Sequence, residues 1–72
     1  MNNKLYNERR TFYRKQMRKY KTNKSRIKFL EEMLFLVEMV DRWNDFDKAS
    51  YEALKDLIAE VKSWEWYRWN MW

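Results

Sequence analysis

Apolar positions fall into three blocks along the chain, each with helical spacing. In the first block Leu5, Tyr6, Phe12, Tyr13, Met17 and Tyr20 share one side when projected at about 100° per residue, with Arg9 and Gln16 inside the same arc. The second block, "SRIKFLEEMLFLVEMVDRW", is the most hydrophobic. Ile27, Phe29, Leu30, Met33, Leu34, Leu36, Val37, Val40 and Trp43 cover half of its wheel, while Phe35 and Met39 intrude among Lys28, Glu31, Glu32, Glu38 and Arg42. A helix lying on one core needs a narrower stripe, so this block is expected to be the hydrophobic centre, with neighbours on two sides or a second subunit. The third block has a regular stripe of Tyr51, Leu54, Leu57, Ile58, Val61 and Trp64, and Glu52, Lys55, Asp56, Glu60 and Lys62 outside it read as a solvated face.

The punctuation agrees with helices. Glycine and proline are both absent from the 72 residues, which removes the residues that hairpin turns and long loops lean on. Helix ends must then be read from polar clusters, "KTNKS" at 21–25 and "NDFDK" at 44–48. Thr22, Asn23 or Ser25 can cap a second helix and Asp45 or Asp47 a third, through side-chain oxygens that accept from first-turn amides. The pattern predicts an all-α, small three-helix bundle in one domain spanning 1–72, with helices over about 4–21, 24–43 and 47–69 and dimerisation through the second helix or the tail. A sevenfold column, Tyr6, Tyr13, Tyr20, Ile27 and Leu34, would also suit one continuous first helix, but the other apolar positions do not follow it past "KTNKS".

Charge divides the chain in a way hydrophobicity does not. Residues 1–28 hold eleven Lys or Arg against one acid, a net +10, and residues 29–72 hold five bases against ten acids, a net −5. A basic N-terminal helix is joined to an acidic, apolar body. Self-neutralisation accounts for part of the surplus only, because ten acids cannot cancel the arm's eleven bases and the body's own five. The remainder asks for a polyanion, whose binding releases counterions from each neutralised phosphate.

Several kinds of chemistry are excluded. With no cysteine and no histidine there is no disulfide, thiolate or imidazole metal site, and no Ser-His or Cys-His nucleophile. A fold of this size does not wall off a substrate pocket of several hundred Å³, so an enzyme is not expected, nor a cofactor. The acids at Glu31, Glu32, Asp41, Asp45 and Asp47 read as caps and solvated positions, since Asp45-x-Asp47 lacks the glycine turn and later glutamate of a calcium loop. No apolar run reaches the roughly 20 residues of a membrane span, and no signal-peptide core follows the first lysines. A cytoplasmic protein is expected. Its lysine-, asparagine- and tyrosine-rich composition has the character of small proteins from AT-rich genomes, bacteriophages among them, and in that case the compartment is the host cytoplasm.

The reading that follows is a small nucleic-acid-binding protein, accessory or regulatory, contacting phosphates through Arg9, Arg10, Arg14, Lys15, Arg18, Lys19, Lys21, Lys24 and Arg26. RNA is preferred slightly over DNA, because nothing resembles a base-reading helix in a helix-turn-helix frame. Tyrosines at helical spacing read first as core, so the cationic face and not the rings carries this expectation. The alternative is a helical interaction module or inhibitor that docks on an acidic protein surface or through its aromatic tail. Phe35, Met39, Trp66, Tyr67 and Trp72 are the interface candidates, while Trp64 and Trp69 read as a prolongation of the buried stripe. Membrane binding is disfavoured, since the first helix has only Leu5, Phe12 and Met17 as purely apolar members.

Overall fold

The computed structural model describes the backbone of residues 3–70 and the side chains of residues 3–64. It is an all-α three-helix bundle of α1 (Asn3–Met17), α2 (Asn23–Glu38) and α3 (Asp45–Asn70). Helices α1 and α2 each lie along α3 and touch one another little, so α3 is the spine.

That hierarchy corrects the expectation that the second helix is the centre. Ala49, Ala53, Leu54, Leu57 and Val61 of α3 are fully buried, joined by Ile58 and Ser50, whereas α2 buries only Leu30 to that degree. The reason is side-chain size: Ala49, Ser50 and Ala53 let a neighbouring helix approach α3 closely. The wide apolar arc of α2 exceeds what one packed side can cover. Tyr13 and Met17 of α1 complete the core, with Ile27, Phe29, Met33, Leu34 and Val37 packed against it from α2.

The helix ends at the two connections are closed without glycine, and no described residue has a positive φ. Helix α1 stops at Met17, four residues before the expected boundary, by tightening into three-residue hydrogen bonds from Lys19 to Gln16 and from Tyr20 to Met17. Thr22, in extended conformation, caps α2 by accepting from the Ser25 amide at 3.1 Å. The break at 18–22 ends the sevenfold column at Tyr20. Helix α2 ends at Glu38, five residues early, because the Trp43 indole folds back and donates to the Val37 carbonyl at 3.1 Å. The Val37 carbonyl also accepts from the Val40 amide at 3.1 Å, so the indole adds a second bond to the tightened last turn. The same ring packs on Tyr51, with centroids 4.8 Å apart, and so ties the α2 terminus to α3.

The cap of α3 is Asn44, ahead of both expected caps, Asp45 and Asp47. Its Oδ1 accepts from the Asp47 amide at 2.9 Å while Asp47 Oδ2 accepts from the Asn44 amide at 3.3 Å. This reciprocal capping box leaves Asp45 and Asp47 in the first turn, where the helix dipole favours acids.

Two aromatic expectations change. Trp64 is 41% exposed and does not extend the buried face, whose last buried member among the described residues is Val61. Trp66, Tyr67 and Trp69 are placed on α3 by backbone alone, and their side chains, like Trp72 as a whole, lie outside the described residues. Among the described residues no helix is long and apolar enough to cross a membrane.

Candidate nucleic-acid interface

The nine candidate cations separate into two groups according to what α3 offers them. Helix α1 presents Tyr6, Arg10 and Arg14 at four-residue spacing, and α3 presents Asp56 and Glu60 at the same spacing. The two columns meet. Tyr6 donates to Asp56. Arg10 Nη2 reaches Glu60 Oε2 at 3.1 Å, and Arg14 Nη2 reaches both Glu60 oxygens at 2.8 and 3.1 Å. Asp56 and Glu60 therefore receive α1, Glu60 half-buried between its two arginines and Asp56 still exposed to solvent. The hydrogen bond to Asp56, then burial, then the carboxylate's charge hold the Tyr6 phenol above its ordinary value.

Arg9 is held by a different set of partners. Its Nε donates to the buried Ser50 Oγ at 3.0 Å and its Nη2 to Tyr13 Oη at 3.1 Å. The guanidinium carbon lies 4.6, 4.9 and 4.3 Å from the ring centroids of Phe12, Tyr13 and Phe46. A cation in this position stitches α1 to the start of α3 through ring faces. This explains why Arg9 falls inside the apolar arc of its helix.

Glu60 brings two arginines of one helix face onto a single carboxylate. Glu60→Gln removes the charge but keeps the shape, leaving Arg10 and Arg14 facing each other. The partners are about a third exposed, so the expected loss is about 1 kcal/mol, larger at low salt. Urea midpoints of wild type and variant, compared at low and high salt, check it.

Arg26 closes the connection between α1 and α2. Its Nε donates to the Tyr20 carbonyl at 3.0 Å and its Nη1 to Asn23 Oδ1 at 3.2 Å. The remaining candidates, Lys15, Arg18, Lys19, Lys21 and Lys24, are exposed and have no partner among the described residues. Lys28, outside the nine, joins them on the same terms. Between Glu8 and Glu31 the sequence holds no acid. The arginine-rich helix is thus partly an internal clamp, and the free positive charge is concentrated at the 18–22 turn and the helix ends beside it.

Helix polarity sharpens the contrast between those two ends. Arg14 and Lys15 occupy the last turn of α1, where the dipole favours cations. Helix α2 has no acid in its first turn and instead opens with Lys24, Arg26 and Lys28 within six residues. There the dipole and the unpaired amides favour an anion, so the cations gain nothing from their own helix.

Two aromatics lie beside this turn. Tyr20 stacks on Phe29 with centroids 5.2 Å apart and planes 29° from parallel. Tyr20, Ser25, Lys28, Phe29 and Glu32 line a shallow groove of about 300 Å³. This pair is not visible in the sequence, because Tyr20 belongs to one helical stripe and Phe29 to another. What the sequence does show is that Tyr20 is the one aromatic residue within 14–28.

A second surface lies on the outer side of α2. Phe35, Leu36, Met39 and Val40 are 58%, 57%, 66% and 40% exposed. Phe35 and Met39 are the two apolar residues that interrupt the polar side of the helical wheel. Among the described residues no group of three or more acids is placed to hold a metal ion. In comparisons with known proteins, the chain matches no family, and no curated protein or solved structure is significantly similar to it.

Proposed function

We propose that the protein binds nucleic acid electrostatically, through the turn between α1 and α2 and the helix ends that flank it. The observation that carries this reading is the crowding of exposed, unpaired cations, Arg18, Lys19, Lys21 and Lys24, along the turn that leads into the first turn of α2, toward the helix end whose dipole disfavours them. Charges so placed serve a ligand: a phosphate there meets lysines, an arginine and helix amides together. Lys15, Arg18, Lys19, Lys21, Lys24 and Lys28 make the contacts, and Arg26 holds the turn that displays them. Arg9, Arg10 and Arg14 act indirectly, by fixing α1 on α3. RNA is preferred slightly over DNA, because nothing among the described residues resembles a base-reading helix in a helix-turn-helix frame. An accessory or regulatory role in the cytoplasm, a host's if the chain is phage-encoded, fits a binder of this size. Purification of the tagged protein with and without nuclease tests the reading. Co-purifying material that disappears with nuclease is the expected result; a protein partner that survives it overturns the reading in favour of docking on an acidic protein surface.

The outer face of α2 favours an additional contact, and the occupant that fits it is a second copy of this chain. Its four exposed side chains leave on the order of 400 Å² of apolar surface open, the size of a typical monomer's largest patch. That area is close to the apolar share of the roughly 800 Å² that each partner gives to a stable interface. Such a dimer displays two basic turns and so raises avidity. Phe35→Ser combined with Met39→Lys is expected to yield a monomer with unchanged helicity, as measured by sedimentation equilibrium and circular dichroism. Wild-type protein that sediments as a monomer at about 100 μM, well above the micromolar Kd of a weak standard-sized interface, contradicts self-association.

A further inference from the structure

We propose that the Tyr20–Phe29 pair is a stacking platform for one unpaired nucleobase, so that the basic turn takes single strands in preference to duplexes. The inference rests on the phosphate-binding reading above and adds to it the part of the nucleotide that is not phosphate.

The aromatic rings of α1 are already engaged by neighbouring groups. Tyr13 is buried in the core, Tyr6 is bonded to Asp56, and Phe12, although exposed, already has the Arg9 guanidinium over its ring and Tyr13 at its edge. Tyr20 has no cation over its ring. It is 39% exposed, stands within the cation-rich segment, and is covered among the described rings by Phe29 alone. Phe29 packs against the core, so the ring beneath Tyr20 is anchored and the platform does not have to be ordered by its ligand. Arg26 adds to this by bonding to the Tyr20 carbonyl, which fixes the backbone that carries the ring.

The groove beside the pair is chemically divided. Lys28 and Ser25 supply donors to its lining, and Glu32 supplies a carboxylate. A carboxylate repels a phosphate but accepts from the exocyclic amine of adenine or cytosine. The groove therefore suits a base, with the phosphates left to Lys19, Lys21 and Lys24 outside it. Stacking on a ring is sequence-tolerant, because every base has a π face, and it requires that the base be free of its own stack. A duplex shows the turn only phosphates and base edges, so it gains the electrostatic part of binding and not the stacking part.

The test uses the full chain with labelled 12-nucleotide probes: single-stranded RNA, single-stranded DNA of the same sequence, and the RNA duplex. Wild type is expected to bind either strand more tightly than the duplex. Tyr20→Leu keeps an apolar contact on Phe29 and is expected to lose about tenfold or more for both strands, with duplex affinity and salt slope unchanged. Tyr20→Trp is expected to bind strands at least as well as wild type, and 2-aminopurine placed in the strand is expected to be quenched on binding. Equal affinity of wild type for strand and duplex, or Tyr20→Leu that is folded and binds strands like wild type, overturns the platform and leaves phosphate binding standing. Wild type that binds no probe overturns both.

Discussion

Replacing Lys19, Lys21 and Lys24 by alanine in one chain lowers affinity for a single-stranded oligonucleotide about a hundredfold at 0.1 M salt, without unfolding the protein. The size follows from counterion release. Each neutralised phosphate contributes about 0.7 to the slope of log affinity against log salt on a single strand, so losing three contacts removes a slope of about 2, which is two decades at 0.1 M. Folding is spared because these side chains are exposed and have no partner among the described residues. Removing Lys24 from the first turn of α2 also relieves an unfavourable interaction with the helix dipole. The matched control is a triple change of Lys48, Lys55 and Lys62, which removes the same charge from α3. It is expected to cost far less, since that charge acts only through the screened long-range field. Fluorescence anisotropy of both variants checks the difference, and equal losses would mean that net charge and not the turn is what binds.

Leu57→Ala is expected to remove roughly half of the protein's stability. The Leu57 side chain is fully buried on the spine helix, and truncating such a leucine costs about 2–5 kcal/mol in transfer and cavity terms. Typical per-residue stability gives a chain of 72 residues only about 4–11 kcal/mol in total. Leu36→Ala on α2 makes the same chemical change at a side chain that is 57% exposed, and is expected to cost less than about 0.5 kcal/mol in the monomer. Urea titrations followed by circular dichroism at low protein concentration separate the two. Equal losses would contradict the assignment of α3 as the centre of the fold.

The Leu57 and Leu36 pair also illustrates what was legible in the sequence. Periodicity located three helices and the break near "KTNKS", because a helix announces itself through local spacing. It did not rank the helices by burial. Hydrophobic content favoured α2, whereas burial follows from small residues such as Ala49, Ser50 and Ala53 that admit a close neighbour, and their effect depends on which helix arrives. Boundaries failed for a similar reason. The bond from Trp43 that ends α2 spans six residues and depends on the ring also finding Tyr51.

The candidate interface was legible as a charge surplus but not as a surface. Eleven bases in 28 residues identify a basic segment, but they do not show that Arg10 and Arg14 turn toward Glu60 or that Arg9 is spent on Ser50 and three rings. The four-residue spacing shared by Tyr6, Arg10 and Arg14 with Asp56 and Glu60 was a readable signal for that docking. The Tyr20–Phe29 stack had none, since it is made by a turn that sets two separate stripes side by side.

The most direct measurement is the affinity of the wild-type chain for a labelled single-stranded RNA across a salt series from about 50 to 200 mM. Five to seven phosphate contacts at the basic turn predict a log-log slope of about −3.5 to −5, roughly a hundred- to thousandfold weakening over that range. No binding at the lowest salt, or a slope shallower than about −1, would contradict the account, because one contact or none would then be made by a turn presented as the site.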